Sequence, residues 1–63
     1  MKNRVKELRD KRKITQEELA ELIGISRQAI NAIEKEKFDP SLPTAFKMAK
    51  LFDLSIEKIF LFK

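Results

Sequence analysis

The sequence predicts an all-α domain of five short helices, and three observations carry that expectation. The chain of 63 residues has one Gly and two Pro, which leaves little room for a loop-rich fold. Apolar residues recur at spacings of three and four, the period of a helix with one buried face. Capping residue types stand ahead of four such stretches, at Thr15, Ser26, Ser41 and Ser55.

In the first helix Val5 and Leu8 share a face, with Met1 one turn earlier, and both are expected in the core. Thr15 opens the second helix, because Glu18 three residues on completes a capping box. Glu17 and Glu18 lie at the positive end of its dipole. Leu19, Leu22 and Ile23 are expected to be buried, and Gly24 ends the helix by taking a left-handed conformation.

Ile25 then plugs the core and Ser26 caps a third helix running over about 26–36. At 100° per residue, Ile30 and Ile33 fall on one side and Gln28, Asn31, Ala32 and Lys35 on the other. Phe38 is expected to anchor the following loop. Ser41 caps the fourth helix, where Pro43 is tolerated in the first turn. Its buried stripe is expected to be Leu42, Ala45, Phe46, Ala49 and Phe52, with Leu51 on the opposite side. Ser55 caps a short fifth helix. The apolar ending from Ile59 to Phe62 cannot all point inward, so Leu61 and Phe62 either continue as a short strand or cover a neighbouring subunit.

Composition narrows the function. At 63 residues the chain is one small domain, and with no Cys and no His it lacks the common disulfide and zinc staples, so dimerisation is expected to reinforce it. No apolar run reaches the roughly 20 residues of a membrane span, and the basic start is not a signal sequence, which leads to the expectation of a cytoplasmic protein. An enzyme finds no support: Ser26, Ser41 and Ser55 fit helix caps, and Glu17, Glu18 and Glu21 fit dipole and solubility roles better than metal ligation. No metal, cofactor or small-molecule ligand is expected, and no second domain to sense one. The net charge of +4 suits a polyanion partner, and residues 1–13 hold seven of the basic side chains.

Residues 15–37 read as two helices joined by a tight turn, the second with an apolar inner face and an outer face rich in Arg, Gln, Asn and Ala. Short amide side chains of that kind suit hydrogen bonding to base edges, and the whole unit has the form of a helix-turn-helix that lays one helix in the major groove of DNA.

Gln16, Ala20, Gly24, Ile25, Ile30, Ile33 and Glu34, followed by Asp39-Pro40-Ser41-Leu42 and by the SxxxIF ending from Ser55 to Phe60, resemble the helix-turn-helix family of phage repressors and Cro proteins. The resemblance spans the chain and implies a single domain over 1–63 with a compact five-helix lambda-repressor-like fold. It implies a sequence-specific regulator of transcription, a repressor that binds an inverted-repeat operator in duplex DNA as a homodimer. Carried over by position, Gln16 meets a phosphate, Arg27, Gln28 and Ala32 read bases, Asn31 reaches phosphate or base, and Lys35 and Lys37 meet phosphate. Arg9 and Glu34 match a structural ion pair between the first and third helices. Leu51, Ile59, Leu61 and Phe62 are the expected dimer interface, the alternative being that they complete the monomer core, which is the favoured place for Ile59 and Phe60. Glu36 departs from the pattern, because the family commonly has Gly or Asn there and Glu disfavours a left-handed helix end. The competing class is an antitoxin-like or adaptor module that uses the same helices to dock a protein.

Overall fold

Hydroxyl side chains start the three longest helices as their sequence positions require. The computed structural model describes residues 1–61, in the order β1 (Lys2–Asn3), α1 (Val5–Lys11), α2 (Gln16–Ile23), α3 (Arg27–Glu34), α4 (Leu42–Phe52), α5 (Ile56–Ile59) and β2 (Phe60–Leu61). The capping box at Thr15 is complete: its hydroxyl accepts the Glu18 N–H at 3.0 Å, and the Glu18 carboxylate accepts the Thr15 N–H at 2.8 Å. Ser26 accepts from the Ala29 N–H and Ser41 from the Thr44 N–H. Ser55 stands at the cap position of α5 without a side-chain capping bond, so its expected role is reduced to backbone conformation.

The helix ends share a second device. At Lys13, Gly24, Glu36 and Asp53 the backbone enters the left-handed region, with φ of 57°, 89°, 63° and 56°. In each case the next amide bonds back five residues: Ile14 to Arg9, Ile25 to Ala20, Lys37 to Ala32 and Leu54 to Ala49. This is the Schellman closure, in which the residue after the left-handed one normally packs on the helix it terminates. Ile14, Ile25 and Leu54 do pack against the core. Lys37 replaces that apolar residue at the end of α3 and is exposed.

Glu36 corrects the expectation drawn from its side chain. It adopts the left-handed conformation anyway, because the Glu36 and Lys37 amides bond to Ile33 and Ala32 oxygens, both at 3.0 Å, and close the helix cooperatively. A non-glycine residue there costs roughly 1–2 kcal/mol in backbone sterics. Glu36→Gly is therefore expected to stabilise the fold by about 1 kcal/mol, net of the greater freedom of Gly in the unfolded chain. Thermal denaturation checks it: the midpoint rises by several degrees, and a fall contradicts the strain.

Val5, Leu8, Leu19, Ala20, Ile23, Ile30, Ile33, Ala45, Met48, Phe52, Ile59 and Phe60 form one buried cluster. Three apolar expectations are corrected here. Leu22 is 61% exposed, since it lies about 60° outside the arc of Leu19, Ala20 and Ile23 at 100° per residue. Helix α4 is turned from the expected stripe: Thr44, Ala45, Met48 and Phe52 are buried, whereas Leu42 is 66% and Phe46 55% exposed. Thr44 can go inside because the Ser41 hydroxyl donates to its Oγ1 at 3.0 Å, which removes the penalty for burying it. Phe38, expected as an anchor, is also exposed.

The C-terminal alternative resolves toward a strand, with a partner that the sequence did not suggest. β2 pairs antiparallel with β1, Lys2 opposite Leu61 and Asn3 opposite Phe60. The Arg4 N–H extends the ladder to the Ile59 oxygen at 2.9 Å. Ile59 and Phe60 take the core alternative: both are buried in the monomer, and Ile59, fully buried, has no surface to offer at a dimer interface. Leu51 is half-buried against that same core, Leu61 is exposed, and Phe62 lies outside the described residues. Among the described residues no helix is long and apolar enough to cross a membrane.

Candidate nucleic-acid interface

The third helix is held on its inner side by bulk and at both ends by hydrogen bonds. Ile30 and Ile33 are fully buried, which fixes the roll of α3 and leaves the opposite side facing outward. Arg27 and Gln28 are exposed in its first turn, and Asn31 and Ala32 are half-exposed one turn on. Lys35 and Lys37 are exposed at its closure.

Glu34 ties this helix to the two before it. Its side chain is only 4% exposed, and the Arg9 guanidinium donates to it twice, from Nε to Oε2 at 2.8 Å and from Nη2 to Oε1 at 3.3 Å. Arg9 Nη1 also donates to the Ile14 oxygen at 3.0 Å, just past the end of α1. These hydrogen bonds to the carboxylate hold the Arg9 guanidinium above its ordinary pKa against the opposing effect of burial, so it stays cationic wherever the protein is folded. The pair expected between the first and third helices is thus present with bidentate geometry.

Gln16 adds a third donor. Its Nε2 lies 2.9 Å from Glu34 Oε1, and because a carboxylate only accepts, the nitrogen must be the atom that faces it. One N–H and the carbonyl oxygen of Gln16 remain for another partner. The sequence pointed Gln16 at a phosphate and gave no sign of this bond, which depends on the packing of α2 against α3.

Two open grooves meet at Arg27. One, of about 520 Å³, lies where the start of α2 faces the start of α3, with Lys13, Thr15, Gln16 and Arg27 among its walls. The other, of about 420 Å³, is formed by Arg27, Gln28 and Asn31. Together they bring Gln16, Arg27, Gln28 and Asn31 into one band. Ala32, Lys35 and Lys37 line neither groove. Lys13, the last of the basic residues of 1–13, joins the band as well. Glu17 lies in the same groove and brings an opposing charge. As the first two residues of α2, Gln16 and Glu17 have N–H groups with no intrahelical acceptor, and the helix dipole favours an anion there.

A residue that the sequence reading passed over supports the far end of α3. Asn3 Nδ2 donates to the Ile33 oxygen at 2.8 Å, and its Oδ1 accepts the Val5 N–H at 3.1 Å. The same side chain therefore starts α1 and braces the last turn of α3. The usable signal is an Asn two residues before Val5, a side chain that bonds readily to nearby backbone groups.

Residues 5–59 match the model of the family described as helix-turn-helix, a match to most of the chain. The chain belongs to this helix-turn-helix family. Among relatives of this helix-turn-helix protein, an uncharacterized HTH-type transcriptional regulator of Methanocaldococcus jannaschii is 54% identical over 63 residues, spanning 100% of this chain and 96% of that protein. The uncharacterized HTH-type transcriptional regulator YgzD of Bacillus subtilis is 47% identical over 60 residues, 95% of this chain and 91% of YgzD. The HTH-type transcriptional regulator PuuR of Escherichia coli is 35% identical over 57 residues, which span 90% of this chain but only 31% of PuuR. Membership makes the protein a DNA-binding helix-turn-helix regulator.

Proposed function

We propose that this helix-turn-helix protein is a sequence-specific repressor that binds an inverted-repeat operator as a homodimer, one α3 in the major groove of each half-site. The observation that carries the reading is the band of Gln16, Arg27, Gln28 and Asn31 on the open side of a helix whose other side is locked by Ile30 and Ile33. In this reading Gln28 makes paired hydrogen bonds to an adenine, Arg27 reaches guanine or phosphate, and Ala32 packs against a thymine methyl. Asn31 reaches a base or the backbone. A phosphate sits at the start of α2, held by the free N–H of Gln16 with the first backbone amides of the helix, while Lys13, Lys35 and Lys37 add positive charge along the backbone path. Arg9 and Glu34 touch no DNA and position the helix. Repression follows where such a site overlaps a promoter, since the bound dimer blocks access to it.

Selection from random duplex DNA tests the reading. The expected result is enrichment of an inverted repeat with half-site centres about 34 Å apart, one helical turn. Failure of any sequence to enrich, together with recovery of a stoichiometric protein partner, supports the adaptor reading instead.

A further inference from the structure

The far end of α3 is tied to the two-stranded sheet through one amide side chain. Asn3 of β1 stands opposite Phe60 of β2, and Lys2 opposite Leu61. Side chains alternate across a strand, so Asn3 lies on the inner face with the buried Phe60, while Lys2 and Leu61 lie on the outer, exposed face. Arg4 continues the pairing: its N–H donates to the Ile59 oxygen at 2.9 Å and its Nη1 to the Lys58 oxygen at 3.3 Å. The Asn3 amide is engaged at both ends, with Nδ2 donating to the Ile33 oxygen at 2.8 Å and to the Met1 oxygen at 3.3 Å, and Oδ1 accepting from the Val5 N–H at 3.1 Å. Two carbonyls at the nitrogen and an N–H at the oxygen allow only one orientation of the amide.

We propose that Asn3 is a positioning residue for base reading: through the Ile33 oxygen it fixes the second turn of α3, on which Ala32 meets its base, while Arg27 and Gln28 in the first turn do not depend on it. The proposal rests on the reading of α3 given above. Three observations carry it. Ile33 directly follows Ala32, and its oxygen also accepts the Glu36 N–H at 3.0 Å, so Asn3 holds the carbonyl on which the left-handed closure of the helix is built. The next residue, Glu34, is held separately by Arg9 and Gln16. Held at Glu34 alone, the helix end can turn about that point; held at Ile33 as well, it cannot. The first turn has fixings of its own, the Ser26 cap on the Ala29 N–H and the buried Ile30. Side-chain length makes the second turn the sensitive one. Arg27 and Gln28 have rotatable bonds with which to follow a small displacement, whereas the Ala32 methyl has none and leaves contact with a thymine methyl once the two are more than about 4.5 Å apart. The sheet register enters the same way, because a slip of one residue between β1 and β2 turns Asn3 to the outer face.

Affinity of the full chain for a selected duplex, with uracil replacing each thymine in turn, tests the brace. Uracil lacks only the methyl group, so wild type is expected to lose about four-fold at the thymine that Ala32 meets, the worth of one buried methyl-sized group. Asn3→Ser keeps an oxygen for the Val5 N–H but is too short to reach Ile33. It is expected to lose less than two-fold at that thymine while keeping the full wild-type preference at the position that Gln28→Ala relaxes. Asn3→Ala is expected to behave alike. An unfolded fraction lowers affinity for every duplex equally, so these ratios are blind to stability and remain readable where either variant melts earlier. A variant that binds all duplexes more weakly but keeps the four-fold ratio, or one that loses preference equally at the Gln28 position, overturns the brace and leaves the reading of α3 standing. A wild type indifferent to uracil at every position overturns both the Ala32 contact and the proposal, while the Gln28 position still reports on the first turn.

Discussion

Arg9→Met is expected to destabilise the fold by about 3–5 kcal/mol, enough to unfold much of a domain this small. The reason is the group it abandons rather than the bond it loses. Glu34 is almost fully buried, and without Arg9 its only remaining side-chain donor among the described residues is Gln16. A buried carboxylate with one neutral donor pays most of its desolvation cost uncompensated. The Ile14 oxygen also loses its donor at the closure of α1. In a domain of about 60 residues each kcal/mol moves the melting midpoint by roughly 4–8 °C, so the expected fall exceeds about 10 °C. The double variant Arg9→Met/Glu34→Leu removes both charges and is expected to recover most of the loss. A melting midpoint for Arg9→Met within 2 °C of wild type, measured by circular dichroism, contradicts the positioning role of the pair.

Raising salt from 50 to 200 mM is expected to weaken DNA binding by about 10⁴-fold if two copies bind together. Lys13, Arg27, Lys35 and Lys37 supply four cations per copy along the proposed backbone path. Each neutralised phosphate contributes about 0.9 to the slope of log affinity against log salt, which gives about 3.6 for one copy and about 7 for two. The slope therefore counts copies as well as contacts, and binding titrations across that salt range read it directly. A slope near 1 contradicts the phosphate path, and a slope near 3.6 with preserved sequence preference contradicts paired binding. Lys37→Ala is expected to lower the slope by nearly 1 per copy with little change in base preference.

The inner sides of α2 and α3 were legible because local chemistry and tertiary packing agree there. Thr15 with Glu18, Ser26, Leu19, Ile23, Ile30 and Ile33 all occupy the places their spacing required. Helix α4 was not legible because two apolar stripes overlap on it, and the choice between them turned on burying Thr44, whose hydroxyl is satisfied by Ser41. The left-handed closures at Lys13, Glu36 and Asp53 were hidden for a related reason. Their cost is local, whereas the hydrogen bonds and core contacts that offset it lie several residues away. At the site, the outward residues of α3 followed from the helical period. The Gln16 to Glu34 bond and the Asn3 brace on Ile33 did not, since each joins residues 18 and 30 positions apart through the assembled fold.

The central claim is that the open side of α3 reads bases while its flanks hold the backbone. The most direct measurement is the affinity of Gln28→Ala for a selected site and for every single-base variant of that site. The expected result is a loss of preference worth about 1–3 kcal/mol at one position in each half-site, with the other positions unchanged. A uniform loss of affinity across all variants, with discrimination intact at every position, contradicts it.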